Sequence, residues 1–289
     1  MRIATRGSEL ALWQAHHVEQ LLLSAGSCDA VEIVVVSTSG DRDKVTPLHE
    51  IGGKGIFVKE VQAALLDGRA DIAVHSAKDM PAISPDALML GAVPERGNPL
   101  DALVGARLVD LPPGARIGTG SVRRRAQLAA LRPDLVFDEL RGNIATRLEK
   151  LVNFDAVVMA TAALERLGEH PAVVDVMTAE QMVQQVGQGT LAIECRADDP
   201  IIIGGLDKIN HGESRRVFEA ERAFLRELGG DCTLPAGAFG VLDRDADTIT
   251  LTGFLASEDL TTSHQQSMTS ADGPALGIEL AQTLRSLLA

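Results

Sequence analysis

Short apolar strands alternate with amphipathic helices over roughly the first 96 residues, and no other feature of the sequence constrains the fold as much. Strands are predicted at Ile3 to Thr5, Val31 to Val36 and Asp71 to Val74. A first helix begins after Ser8, and a second runs from about Phe57 to Leu66. Strand–helix–strand order of this kind predicts an α/β domain with parallel strands.

A second strand–helix series follows a segment punctuated by Pro94, Gly97 and Pro99, which is typical of a hinge. Its predicted strands are 116–117, 135–137 and 156–159, and its predicted helices are 121–131 and about 146–151. Gly187-Gln188-Gly189 indicates a second crossing of the chain, after which a strand at 191–195 can return to the first sheet. Two crossings predict two α/β lobes with a cleft between them.

From about His211 the pattern changes. A helix at 214–228 leads through a loop rich in glycine and proline to strands at 238–242, 248–255 and about 265–269, before a last helix at 274–288. The predicted fold is therefore two α/β domains plus a small α+β domain. We place the domains at 1–96 with 189–210, at 97–188, and at 211–289.

The charge distribution favours a small anionic ligand over a polymer. A net charge of −13 argues against nucleic-acid binding because the protein's field repels phosphate. The absence of tyrosine and a single tryptophan leave few base-stacking platforms. Between residues 116 and 147, however, seven arginines face only three acidic residues. This local basic patch predicts a small ligand with several negative charges.

Hydropathy indicates where the protein is located, and the number of cysteines indicates whether it has disulfides or a zinc site. No apolar run is long enough to cross a bilayer, and the residues from Met1 onward read as a strand and not as a signal peptide, so we expect a cytoplasmic protein. Three cysteines, Cys28, Cys195 and Cys232, are too few and too scattered for a disulfide framework or a zinc site. No metal is expected.

The segment from Gly118 to Arg124 is the first candidate binding motif. A strand that runs through a glycine turn into a helix presents free backbone N–H groups and a positive dipole end to an anion. A dinucleotide fingerprint wants glycine where Arg123 stands, so that interpretation is weak. Arginine forks suit carboxylates. An ordinary solvated helix start explains the segment equally well.

Two further segments carry candidate chemistry. Gly52-Gly53-Lys54-Gly55 lacks the spacing of a phosphate loop and indicates a mobile loop beside a cleft. The strand that ends at His75-Ser76 is followed by Lys78 and Asp79, where ligands of open α/β sheets bind. Asp79 is either a general acid/base or one half of a local charge pair.

Cys232 stands among glycines and a proline, on a loop where its thiol can be reached. Cys28 and Cys195 lie in or beside apolar segments and are expected to be inert. A buried small side chain at a domain junction is the alternative for Cys232.

Taken together, seven segments resemble the motifs of porphobilinogen deaminases (hydroxymethylbilane synthases), in the family's order and over nearly the whole chain. They are Arg2–Ser8, Gly53–Glu60, Asp71–Asp79, Gly118–Arg124, Leu140–Leu148, Gly187–Gly189 with Ile193–Arg196, and the Cys232 loop.

The resemblance implies two domains like periplasmic anion-binding proteins and a third that carries the cofactor cysteine. It implies stepwise condensation of four porphobilinogen molecules, in tetrapyrrole biosynthesis, on a dipyrromethane primer joined to Cys232 by a thioether. A monomer is implied as well. Positions that match the family's primer-binding residues are Ser8, Asp41, Lys78, Ser121, Arg123 and Arg124. Those that match its substrate contacts are Arg6, Arg141, Arg147 and Arg166.

Asp79 matches the family's catalytic aspartate. Loss of ammonia from the substrate leaves a cationic azafulvene, which a carboxylate stabilises before it accepts the ring proton. The sequence departs from the family pattern at Asp231, Glu50 and Gly120, and none of these removes a predicted functional group.

Two other interpretations remain. A non-enzymatic binding protein of the periplasmic type uses the same two lobes, but the third domain and the Cys232 loop count against it. Another transferase that binds phosphate through Arg123 and Arg124 lacks a complete phosphate-loop or dinucleotide motif.

Overall fold

The computed structural model describes residues 1–38, 58–230 and 234–288. In chain order its strands are β1 (Arg2–Arg6), β2 (Glu32–Val36), β3 (Ile72–Ser76), β4 (Leu88–Ala92), β5 (Asp101–Val104), β6 (Arg116–Gly118), β7 (Val136–Asp138), β8 (Ala156–Ala160), β9 (Val174–Val176), β10 (Leu191–Arg196), β11 (Ala236–Asp243), β12 (Thr248–Ala256) and β13 (Ser263–Ser270).

The α-helices of the described residues are α1 (Glu9–Ser24), α2 (Lys59–Leu66), α3 (Val122–Leu131), α4 (Ile144–Glu149), α5 (Thr161–Leu167), α6 (Pro200–Asp207), α7 (Gly212–Glu227) and α8 (Gly273–Leu288). Short 3₁₀ turns span Ala77–Asp79, Leu108–Asp110 and Lys150–Asn153.

The first sheet has the strand order β2-β1-β3-β10-β4. β1 pairs in parallel with β2 and β3, as the strand–helix alternation predicts. β10 confirms the predicted return of the chain to this sheet, but it runs antiparallel to both β3 and β4. Among the described strands of this sheet, the expectation of parallel strands therefore fails only for β10, because the chain re-enters the sheet from the opposite end. β4, which is antiparallel to β10, runs in the same direction as β3.

Helices cover both faces of the first sheet. Ser8 caps α1, since its hydroxyl accepts a hydrogen bond from the Ala11 N–H at 3.3 Å. One face of α1 is apolar and buries Val18 and Leu22 in a cluster with strand residues of β1 and β3. On the other face of the sheet, α2 buries its own apolar residues in a second cluster. The sheet is thus the middle layer of an α/β sandwich.

The second sheet has the order β7-β6-β8-β5-β9. β6 is parallel to β7 and β8, whereas β5 is antiparallel to β8 and β9. Ile117 on β6 and Leu128 on α3 lie fully buried in the same apolar cluster. β5 and β9, like β4, α5 and α6, were not predicted from the sequence.

The third sheet is an antiparallel meander, β11-β12-β13, covered by α7 and α8. Phe224 of α7 packs with Leu280 and Leu284 of α8 in the core beneath the sheet. The two helices approach closely at Gly277, where an added Cβ would lie 2.3 Å from the backbone oxygen of Ala220. The predicted class, two α/β domains and a small α+β domain, is confirmed.

The chain separates into two compact units. The first comprises residues 1–97 and 190–216, and the second comprises residues 98–189 and 217–289, which include the C-terminal sheet. Among the residues that the structure describes, no helix is long and apolar enough to cross a membrane.

Candidate active site

A pocket of about 60 Å³ lies at the carboxyl ends of β1 and β3 in the first unit. Apolar side chains from α1 and from residues around the start of α2 form its sides. Its polar lining consists of Arg6, Gln14, His75, Ser76 and Asp79. Ligands of open α/β sheets bind at this position, so the pocket is the candidate site in this unit.

Asp79 reaches the pocket because a 3₁₀ turn, Ala77–Asp79, follows β3 directly. The Ala77 N–H donates to the Thr190 carbonyl at 3.0 Å, and the Met80 N–H donates to the Ala77 carbonyl at 3.2 Å. Asp79 is half-buried, and within the described part of the chain its carboxylate has no hydrogen bond or ion pair. Among those residues it is therefore not one half of a local charge pair, and none of them blocks its carboxylate from a ligand.

A buried contact between a histidine and a glutamate lies beside Asp79. His75 Nε2 is 3.0 Å from Glu194 Oε2, and both side chains are almost wholly buried. Gln62 Nε2 lies 2.9 Å and 3.1 Å from the two oxygens of Glu194. Burial opposes ionisation of Glu194, but the hydrogen bond and charge of His75, with Gln62, hold its pKa below the ordinary value.

A second buried polar cluster lies in the second unit. Arg123 and Arg124 are only 2% and 7% exposed, and both bind the fully buried carboxylate of Asp101 on β5. Arg124 donates from Nε and Nη2 to one oxygen of Asp101 at 3.1 Å and 2.6 Å. Arg123 Nη2 donates to the other oxygen at 2.8 Å. The arginine pair is thus embedded in the protein and is not an exposed helix start.

Asp101 is the centre of this cluster, and it was not predicted as a site residue. Burial opposes its ionisation, but Arg124 and Arg123 hold its pKa far below the usual range. Gln188 donates to Asp101 and to the Pro99 carbonyl, each at 2.8 Å. Asp101 begins a short apolar strand, Asp-Ala-Leu-Val, and no motif marks it.

Ser8 and Ser121 cap helices. Ser121 Oγ accepts a hydrogen bond from the Arg124 N–H at 3.4 Å, as Ser8 does at the start of α1. These two residues therefore have a structural role in addition to the binding role implied by the resemblance.

Three of the remaining predicted arginines are half-buried and lie in the second unit. Arg141 pairs with Glu139 at 3.1 Å, and Arg147 Nε donates to the Gly142 carbonyl at 2.9 Å. Arg166 Nη2 donates to the Gly189 carbonyl at 2.6 Å, and burial lowers its pKa to about 10. Arg6 belongs to the first unit, where it lines the pocket with Asp79.

Two family models match the chain. A model described as porphobilinogen deaminase, dipyrromethane cofactor binding domain, matches residues 1–203, and one described as porphobilinogen deaminase, C-terminal domain, matches residues 216–286. The chain belongs to the porphobilinogen deaminase family. It is therefore an enzyme of the transferase class.

Curated relatives that match nearly the whole length of this porphobilinogen deaminase family member are themselves named porphobilinogen deaminase. The chain is 44% identical to porphobilinogen deaminase of Geobacter metallireducens, with 98% of this chain and 91% of that one covered. It is 44% identical to that of Syntrophus aciditrophicus, with 98% of this chain and 94% of that one covered.

Among solved structures, the chain is similar to an amino acid ABC transporter substrate-binding protein from Streptococcus pneumoniae bound to L-arginine. The TM-score is 0.40 and the sequence identity is 18%, with 72% of this chain and 85% of that chain covered.

The donor set of the buried arginine cluster fits the dipyrromethane cofactor of the porphobilinogen deaminase family. Two guanidinium groups share one carboxylate, so within the described ranges one of the two positive charges has no acidic partner of its own. Arg123 Nε is buried without a hydrogen-bond partner among the described residues. An unsatisfied buried donor is costly, and a ligand carboxylate supplies both the acceptor and the missing charge.

Several predicted residues lie outside the described residues, namely Asp41, Glu50, the glycine-rich segment 52–55, Asp231 and Cys232. Of the two cysteines that the structure describes, Cys28 is half-buried and Cys195 is buried. Burial raises the pKa of the Cys195 thiol to about 11, which favours the unreactive thiol at neutral pH. Residues 1–38, 58–230 and 234–288 contain no cluster of three acidic, histidine or cysteine side chains that would hold a metal ion.

Proposed function

We propose that this porphobilinogen deaminase family member joins four porphobilinogen molecules, one at a time, into hydroxymethylbilane and releases ammonia at each step. The observation that carries the proposal is the Asp79 carboxylate, which has no partner among the described residues and lies in a polar pocket with Arg6 at the carboxyl end of β3. Strong sequence identity to porphobilinogen deaminases along the chain supports the same substrate.

Asp79 is the proposed catalytic residue. When the aminomethyl group of the substrate leaves as ammonia, positive charge develops on the substrate, and a half-buried carboxylate stabilises it. Once the new carbon–carbon bond has formed, Asp79 accepts the proton that the ring carbon must lose. Arg6 in the same pocket binds a carboxylate of the substrate and orients it towards Asp79.

We propose that the other matched residues divide between cofactor and substrate. Cys232 carries the dipyrromethane through a thioether, and the residues that hold its charged groups are Ser8, Asp41, Lys78, Ser121, Arg123 and Arg124. The bound cofactor supplies the terminal pyrrole to which the first substrate is joined. Arg141, Arg147 and Arg166, together with Arg6, bind the carboxylates of incoming substrate.

The organisation proposed for the chain is three domains, at 1–96 with 189–210, at 97–188, and at 211–289. We further propose a cytoplasmic monomer that binds no nucleic acid. The negative net charge of −13 supports the last point, because it repels a polyanion.

Intact mass and turnover test this proposal together. The denatured protein is expected to carry an adduct equal to two linked pyrroles, which Cys232→Ser abolishes. Asp79→Ala is expected to keep the adduct and to lose almost all turnover of porphobilinogen, because only the catalytic carboxylate is removed. Asp86→Ala, an exposed aspartate shortly after the same turn, is the control and is expected to retain turnover.

An unmodified protein that turns over porphobilinogen would overturn the attachment to Cys232. Near-normal turnover by Asp79→Ala would overturn the catalytic assignment. A protein that binds small anions but has neither adduct nor turnover would be the non-enzymatic binding protein.

A further inference from the structure

The last two residues of β3 are each held by a buried polar partner, on opposite faces of the sheet. Gln14 Nε2 of α1 donates to Ser76 Oγ at 2.8 Å, and Ser76 Oγ donates to Gln14 Oε1 at 3.1 Å. His75 points to the other face, where it contacts Glu194 of β10. Gln62 of α2 donates to the same carboxylate.

The strand register explains why Glu194 reaches His75. His75 is paired with Ala192 in the β3–β10 ladder, and Glu194 is paired with Ala73. Residues two apart on a strand share a face, so Glu194 and His75 are diagonal neighbours on the α2 side of the sheet. The chain just before β10 also restrains the first residue of the turn, because the Thr190 carbonyl accepts a hydrogen bond from the Ala77 N–H.

These contacts converge on the turn that carries Asp79. Three consecutive residues, His75, Ser76 and Ala77, are fixed by a side-chain or backbone partner immediately before Lys78 and Asp79. Buried ion pairs are weak devices for stability, since desolvation of both charges offsets their attraction. They are strong devices for geometry, because their directional contacts leave few alternative arrangements.

We propose that Glu194 and Gln14 are positioning residues for the Asp79 carboxylate, Glu194 through His75 and Gln14 through Ser76. Neither needs to touch substrate. The proposal rests on the catalytic role of Asp79 given above. It adds that β10, a strand from a distant part of the chain, helps to determine the position and orientation of that carboxylate.

Glu194→Gln tests the first arm, since it keeps the shape of the side chain and removes its charge. We expect kcat for porphobilinogen to fall by about tenfold to a hundredfold, which is the cost of a misplaced catalytic group, with KM changed by less than about twofold. Hydrogen exchange at residues 74–80 is expected to accelerate in the same variant.

The matched control is Asp71→Asn at the opposite end of β3. Asp71 pairs with Arg2 at 2.7 Å, so this variant also breaks an ion pair of the same sheet. It is expected to leave kcat and the exchange of residues 74–80 unchanged. Ser76→Ala, which removes one hydroxyl and keeps the fold, is the second variant and tests the Gln14 arm with the same two measurements.

A double substitution separates positioning from general loss of structure. If Glu194 acts on catalysis through Asp79, Glu194→Gln will lower kcat much less in an Asp79→Glu background than in the parent enzyme, because the misaligned carboxylate has lost its placement already. Equal fold-losses in both backgrounds, a rise in KM with kcat unchanged, or unaltered exchange at 74–80 would overturn the proposal.

Should Glu194→Gln fail to fold, Ser76→Ala with unchanged kcat and unchanged exchange would overturn it alone. Failure of the proposed catalytic role of Asp79 gives a different result, because the Asp79→Ala variant would then still turn over porphobilinogen.

Discussion

Asp101 shows how one residue determines what two arginines can do. Its carboxylate receives three hydrogen bonds from Arg123 and Arg124, and one from Gln188, in a fully buried position. Because its pKa is held far below the ordinary value, its contribution to stability is present above the unfolded-state pKa. It is lost only as the pH falls through the folded-state value, in strong acid.

Removal of Asp101 leaves two buried cations without a counter-charge. Asp101→Ala is therefore expected to lower the free energy of unfolding by about 3–5 kcal/mol at pH 7, measured by urea titration. Asp134→Ala is the control, since Asp134 pairs with Arg132 at 2.7 Å at an exposed site, and its unfolding midpoint is expected to stay almost unchanged. Similar losses in the two variants would contradict a special role for burial at Asp101.

The residue scale also marks how far the sequence leads. The arginine run predicts a site for a small anionic ligand, and the end of β3 predicts a ligand site with Asp79. The structure has a pocket lined by Asp79 at that end of β3, and the functional roles of these residues stay predictions. The partners Asp101 and Glu194 come from other elements of the fold, and each belongs to a strand whose other residues are mainly apolar and indicate core. The packing of α3 on β5 brings Asp101 to Arg123, and the β3–β10 register brings Glu194 to His75. A single sequence contains neither the packing nor the register.

At the scale of elements, two helical glycines make opposite predictions. Gly277 of α8 lies against α7, where an added Cβ would be 2.3 Å from Ala220 O and 2.8 Å from Phe224 N. Gly204 of α6 has open space around it. Gly277→Ala is expected to destabilise by about 1–3 kcal/mol through forced separation of the helices. Gly204→Ala is expected to stabilise by about 0.5–1 kcal/mol through helix propensity.

Urea unfolding followed by far-UV circular dichroism measures both glycine variants. Stabilisation by Gly277→Ala would contradict the close packing of α7 on α8.

Elements with strong apolar periodicity were predicted, and elements formed by tertiary contacts were not. The predicted strand at 156–159 and helix at 121–131 match β8 and α3 closely. β9 has only three residues and is held by pairing with β5, so it has no period of its own. α6 contains two adjacent glycines, which give low helix propensity, but Pro200 at its start and the Asp199 cap favour it.

At the scale of the whole molecule, the apolar clusters around α1, α2, α3 and α8 each lie within one of the two compact units. Trp13, the single tryptophan, belongs to the first unit. Its fluorescence is therefore expected to report a urea transition that differs in midpoint from the transition seen by circular dichroism.

Gly277→Ala provides the cross-check, because Gly277 belongs to the second unit. The substitution is expected to shift the circular dichroism transition and to leave the Trp13 transition in place. Coincident transitions that move together would show one cooperative unit instead of two.

The position of β10 in the first sheet has a consequence for the folding of this enzyme during its synthesis on the ribosome. It lies between β3 and β4, so β4 has no strand partner within its sheet until β10 has been made. β10 begins at Leu191, more than a hundred residues after β3 ends at Ser76, which is on the order of ten seconds of synthesis. Throughout that interval the nascent chain presents open strand edges, which are prone to association with other chains. The Asp79 turn is bound to the Thr190 carbonyl and follows His75, the partner of Glu194, so it is among the last parts of the first unit to be completed.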